Sequence, residues 1–114
     1  LKEAEEYNGP SVIIAYAPCT SHGLKCGMHN VQGEMKRAVE SGYWALYHYD
    51  PRKENPMTLD SKEPTMDYME FVSGETRYAS LTKTFPEEAE RLFEQGKEDA
   101  LRRYDHYRRM AQEK

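Results

Sequence analysis

The stretch SVIIAYA, residues 11–17, is apolar without a break and rich in β-branched side chains. A strand with one wet face alternates apolar and polar residues. This one does not, which predicts a strand covered on both faces, as in a parallel sheet. Cover above and below residues 11–17 is therefore expected. The run stops at Pro18, and Cys19 follows.

The flanking segments extend the pattern. LKEAEEY reads as the tail of a helix closed by Asn8-Gly9-Pro10, with Gly at the stop and Pro just beyond. PCTSHGLKCG is a loop broken by Pro18, Gly23 and Gly27. In NVQGEMKRAVESG, Asn30 suits an N-cap, and Val31, Met35, Ala38 and Val39 share one helical face. Gly42 suits a left-handed stop. The aromatic YWALYHY, 43–49, is strand-like. Strand, helix and strand in this order predict a right-handed parallel βαβ unit, with 11–17 and 43–49 as neighbours.

From Asp50 the chain becomes polar and proline-rich, DPRKENPMTLDSKEPT, and is expected to run extended over a surface. TMDYMEFVSG predicts a short helix, and ETRYASL a further helical turn. Thr84-Phe85-Pro86-Glu87 matches a capping box. Beyond it Ala89, Leu92, Phe93, Ala100, Leu101, Tyr104 and Tyr107 form one stripe of a long helix. That stripe can face its own core, a coiled-coil partner or a neighbouring subunit, and own core is the usual behaviour. The fold class that follows is α/β: part of a parallel-sheet domain, then an extended arm and carboxy-terminal helices. The division falls at about residue 50, giving segments 1–50 and 51–114.

Composition narrows the function. With 114 residues the chain suffices for one small domain with a thin core. A net charge of −4 argues against nonspecific nucleic-acid binding, which needs a basic face. No apolar run is long enough to span a bilayer, and no secretory signal pattern is present. Two cysteines do not make a disulfide scaffold, so a reducing, cytoplasmic setting is expected. The start at Leu1 rather than Met fits a processed chain or a piece of a longer one.

Chemistry concentrates after the apolar run. In parallel α/β sheets ligands gather beyond the carboxyl ends of strands, where Cys19 falls. A cysteine in that position is most often an inert packing residue. Cys19, His22, Cys26 and His29 are all zinc-binding types. However, the three residues between the two pairs leave little chain to wrap one ion tetrahedrally. A Cys19/His22 nucleophile pair would need an orienting group and an oxyanion hole, neither of which can be named. His48 reads as a packed or edge histidine. His106, in the basic RRYDHYRR, reads as part of a solvated helix end.

Four blocks carry a resemblance: IIAYAPCTSHG, AVESGYWALYHYDPR, NPMTLDSKEPT and RYASLTKTFPEEAERLF. In this order and spacing they resemble the carboxy-terminal part of pyruvate:ferredoxin (flavodoxin) oxidoreductases, over about residues 7–113. Enzymes of that family are large, multidomain, usually dimeric and cytoplasmic. They oxidatively decarboxylate pyruvate with thiamine diphosphate and magnesium, pass the acetyl group to coenzyme A, and send electrons through [4Fe-4S] clusters to ferredoxin or flavodoxin.

By this resemblance Cys19 is the last ligand of the cluster nearest the thiamine. The other three ligands come from far upstream. Cys26 departs from the family pattern, and His22, although the family commonly has HG there, receives no role. No thiamine, magnesium or pyruvate contact maps onto this chain. The chain is thus expected to need the remainder of the oxidoreductase, to be inactive alone and to self-associate through exposed sheet edges. Two rival readings are a zinc-stabilised binding module and a stand-alone interaction domain that docks through its long helix.

Overall fold

The computed structural model describes residues 1–19, 23–24 and 27–112. The helices are α1 (Lys2–Glu6), α2 (Val31–Glu40), α3 (Tyr68–Gly74), α4 (Thr76–Thr84) and α5 (Pro86–Gln112), with a 3₁₀ turn at Met28–Asn30 leading into α2. The strands are β1 (Tyr47–Tyr49) and β2 (Met57–Leu59). The chain is thus mixed α and β, with a two-stranded antiparallel sheet and a long final helix.

The expected parallel pairing does not form. Residues 11–17 are extended but belong to no strand, and β1 pairs instead with β2, Tyr47 opposite Leu59 and Tyr49 opposite Met57. Closing a short hairpin costs less chain entropy than closing a crossover. The turn is also well built locally. The Asp50 carboxylate accepts from the Arg52 backbone N–H at 3.0 Å and takes both arms of the Arg52 guanidinium, and the Asp50 N–H donates to Pro56 O at 2.9 Å. A parallel sheet, by contrast, needs cover on both faces, and α2 alone cannot provide it. The polar segment after Asp50 is therefore corrected from a wholly extended arm to the return half of a hairpin.

The helices follow the sequence more closely. In α2 the buried face is centred on Glu34 and Ala38, and Met35 lies outside it, 36% exposed. Of the expected face, Ala38 is buried and Val31 and Val39 are half-buried. Glu34 packs beside Gly74, its Oε1 3.7 Å from where a Cβ would stand. Asn30 occupies the N-cap position but makes no capping hydrogen bond. Gly42 takes the left-handed stop at φ 80°. The expected capping box before α5 is absent: Thr84 ends α4, and its hydroxyl donates to Ser80 O at 3.0 Å.

The core is small. Phe71 and Val72 of α3 and Ala38 of α2 are fully buried, ringed by Tyr16, Tyr43, Trp44, Met66, Tyr68, Tyr78 and Phe93. Phe71 packs against Tyr43 with ring centroids 4.8 Å apart. Helix α5 turns Ala89, Phe93 and Ala100 inward and leaves Leu92 and Leu101 exposed, so most of its stripe serves its own core. Arg103 fastens α5 to the loop after α2 by donating to Tyr43 O at 2.9 Å. Tyr107 meets Tyr47 of the hairpin at 5.1 Å.

The radius of gyration is 16.5 Å. A compact domain of this length would have about 13 Å, so the chain is elongated and under-covered. Val12, Ile13 and Ile14 are 85%, 57% and 68% exposed. Among the described residues no helix is long and apolar enough to cross a membrane.

Because so few residues form the core, each matters. Phe71→Ala is expected to lower stability by about 3–5 kcal/mol, as transfer and cavity costs add. A denaturant titration of the 114-residue chain reads this as a fall in the midpoint. A change below about 1 kcal/mol would mean that Phe71 is not the centre of the core.

Candidate functional site

The extended segment 11–19 is held at one well-anchored residue, Tyr16. Its ring stacks on Trp44 at 5.6 Å and meets Tyr43 edge-on at 5.8 Å. Its hydroxyl donates to Glu75 Oε1 at 3.3 Å. Three residues later Cys19 is exposed, and its carbonyl oxygen accepts from the Gly23 N–H at 3.2 Å. Gly23 adopts φ 71°, a region L side chains rarely enter. Cys19 lines a small cleft with Tyr16, Ala17, Pro18, Glu75 and Arg77.

Beneath this loop lies a polar cluster without a signature in the sequence. Glu75 is 4% exposed and Glu34 fully buried. Neither carboxylate oxygen of Glu34 has a hydrogen-bond partner, and Arg37 Nη1 stands 3.8 Å away, too far for a hydrogen bond. Burial pushes the Glu34 carboxyl up from its ordinary value and the nearby Glu75 charge adds to this, while Arg37 pulls the other way. Burial, followed by the charge and hydrogen bond of Glu75, raises the Tyr16 phenol to about 12. Tyr43 is raised too, by burial first and then by its 2.9 Å hydrogen bond with Tyr78. Arg77 Nη2 donates to the Tyr78 hydroxyl at 2.9 Å and supplies the cation beside these groups.

The other candidates are scattered. His22 and Cys26 lie outside the described residues. His29 is exposed in the 3₁₀ turn. His48 is an exposed edge residue of β1, between Asp60, which meets Nδ1, and Glu3, 3.5 Å from Nε2. The arginines around His106 are largely paired along their own helix, Arg102 with Asp99 and Arg108 and Arg109 with Asp105, as a solvated helix end would be. Among the described residues no three His, Cys, Asp or Glu side chains gather where they could hold a metal ion.

Comparison with known proteins gives a consistent result. No family model matches. The pyruvate-flavodoxin oxidoreductase of Klebsiella pneumoniae is 51% identical over 117 residues, spanning 99% of the chain. The pyruvate:ferredoxin oxidoreductase of Moorella thermoacetica is 50% identical over 116 residues, 98% of the chain. This chain matches one segment of the pyruvate:ferredoxin (flavodoxin) oxidoreductases. It spans about 10% of the length of those two relatives. The mitochondrial NADP-dependent pyruvate dehydrogenase of Euglena gracilis is also similar, at 42% identity over 95% of the chain and 6% of that relative. Pyruvate oxidoreductases are enzymes, and the chain corresponds to a small part of each.

The buried Glu34 gives a pH signature with a definite sign. Its folded-state pKa is raised, so the folded state holds its proton more tightly than the unfolded state. This contribution to stability is present below the ordinary carboxyl pKa and is lost as pH rises through the raised value. Glu34→Gln is expected to remove that loss and to raise the melting temperature at pH 7 relative to the parent, with little gain at pH 4. Melting curves at the two pH values check this; an equal shift at both would show that charge is not the cause.

Proposed function

We propose that the chain is the carboxy-terminal part of an oxidoreductase that oxidatively decarboxylates pyruvate to acetyl-CoA and passes electrons to ferredoxin or flavodoxin. The observation that carries this reading is near-complete coverage of the chain, at about half identity, by pyruvate oxidoreductases from separate organisms. Residues 1–50 would end the thiamine-diphosphate domain, and 51–114 would form the arm and helical segment. The setting would be cytoplasmic, and the assembled enzyme a homo-oligomer.

Within that reading Cys19 is one ligand of a [4Fe-4S] cluster. Such a cluster accepts and donates single electrons and is ordinarily held by four cysteine thiolates. The residues present fit one corner of that set. Cys19 is exposed, stands at the end of an extended segment, and accepts at its carbonyl oxygen from the Gly23 N–H. The chain contains one other cysteine, so the remaining ligands must come from elsewhere in the enzyme. What this chain's own residues do is place the thiolate. Pro18 restricts the backbone before it, Tyr16 anchors the approach, and the Gly23 N–H holds the Cys19 carbonyl. Thiamine diphosphate and its magnesium would be bound by other parts of the enzyme.

The unpaired run 11–17 supports the same reading. A sequence patterned for two-sided cover stands in solvent here and would find its parallel neighbours in the rest of the enzyme. The isolated chain is therefore expected to purify colourless, without pyruvate oxidation, and to self-associate. Visible absorbance and light scattering on one sample read both properties. A brown, iron-loaded chain or a monomer at all concentrations would contradict the proposal.

Ligand counting separates the two thiols. In the full-length enzyme, Cys19→Ser is expected to damage the cluster nearest the thiamine and to slow electron transfer to the acceptor. Cys26→Ser is expected to leave the clusters intact. Iron analysis and paramagnetic resonance of both variants decide; equal loss in both, or loss only with Cys26, would assign the ligand wrongly.

A further inference from the structure

We infer that Glu75 is the positioning residue of the Cys19 loop, meeting it on both sides. On the approach side, the Glu75 carboxylate accepts the Tyr16 hydroxyl at 3.3 Å. On the return side, the Glu75 backbone forms an antiparallel bridge with Leu24. That bridge is carried by the neighbouring Thr76 N–H, which donates to Gly23 O at 3.5 Å. Cys19 thus stands between two attachments that converge on the junction of α3 and α4.

That junction is suited to the task. Glu75 adopts φ −86° and ψ 120°, an extended conformation between two helices. That conformation sets Glu75 opposite Leu24, while its backbone oxygen accepts from the Tyr78 and Ala79 N–H groups. Its N–H caps α3 by donating to Val72 O at 3.2 Å, so its position is fixed by the helix carrying Phe71 and Val72. The loop is in this way referenced to the core rather than to solvent. A carboxylate buried to 4% exposure is costly unless it serves as an acceptor. A phenol that only donates to it fits that need. The cleft beside Cys19 is closed by the same Tyr16 and Glu75, together with Arg77. Gly23 cannot be replaced freely, because its left-handed φ of 71° strains any L side chain.

The inference rests on the assignment of Cys19 as a cluster ligand, and the test keeps the two apart. The full-length oxidoreductase is prepared as Tyr16→Phe, Glu75→Ala, Glu75→Gln and Cys19→Ser. Deuterium exchange is read at the Gly23 and Thr76 amides, and paramagnetic resonance reads each cluster. Loss of one modest hydrogen bond should speed exchange at these amides about fivefold in Tyr16→Phe and Glu75→Ala. The same two variants should change the signal of one cluster and leave the others as in the parent. Glu75→Gln retains an acceptor oxygen and should restore both readings. Cluster loss in Cys19→Ser with unchanged exchange in Glu75→Ala and Tyr16→Phe overturns the positioning role alone. Intact clusters in Cys19→Ser overturn the ligand assignment, whatever the exchange shows. A general loss of all cluster signals in Glu75→Ala, unrestored in Glu75→Gln, overturns a specific positioning role.

Discussion

The packing of Phe71 between Ala38 and the ring of Tyr43 is the contact on which the rest depends. It joins α3 to α2 and to the loop that follows α2. From Tyr43 the aromatic network runs to Tyr16, Tyr68 and Tyr78, and from Tyr78 to Phe93 of α5. Phe71 thereby links α2, the loop after it and, through Tyr43 and Tyr78, the rings of Tyr16 and Phe93. A small core can work in this way only if its neighbours are rings, which bring large area and a polar tip to the boundary with water. Tyr16, Tyr43, Tyr68 and Tyr78 serve that boundary.

Helices were legible where the burial pattern is local. The spacing of Ala89, Phe93 and Ala100 gives α5 its inward face regardless of what else the chain does. In α2 the periodicity placed Ala38 inward but passed over Glu34, whose neighbour Gly74 lies forty residues away, a partner no periodicity can register. The hairpin was hidden for another reason. Its two strands are three residues each, and the prolines between them looked like a simple arm. The pairing depends on Asp50 folding back onto Arg52, a local turn that competes with a distant strand and prevails.

The candidate site divides in the same manner. Cys19 was named through a family resemblance, because position and spacing alone favoured an inert thiol over a zinc set. The groups that fix its surroundings, Tyr16 and Glu75, are separated by fifty-nine residues and meet only in the folded chain. A signal did exist. Tyr16 is the one residue of the 11–17 run with both a ring and a hydroxyl, and a buried hydroxyl must find an acceptor. Its partner could not be chosen among many acidic residues without the junction of α3 and α4.

The exposed run 12–17 has a consequence for the life of the chain. Val12-Ile13-Ile14-Ala15-Tyr16-Ala17 is a six-residue window of high β-propensity with no charge, proline or glycine. Such windows stack into cross-β ladders when released from their neighbours. They are also what chaperones and proteases act on when surveying incompletely folded chains. A segment that needs surroundings to cover it therefore carries its own quality mark. Inside an assembled protein the window is silent; a proteolytic nick that separated it would expose a seed for aggregation and target the piece for removal.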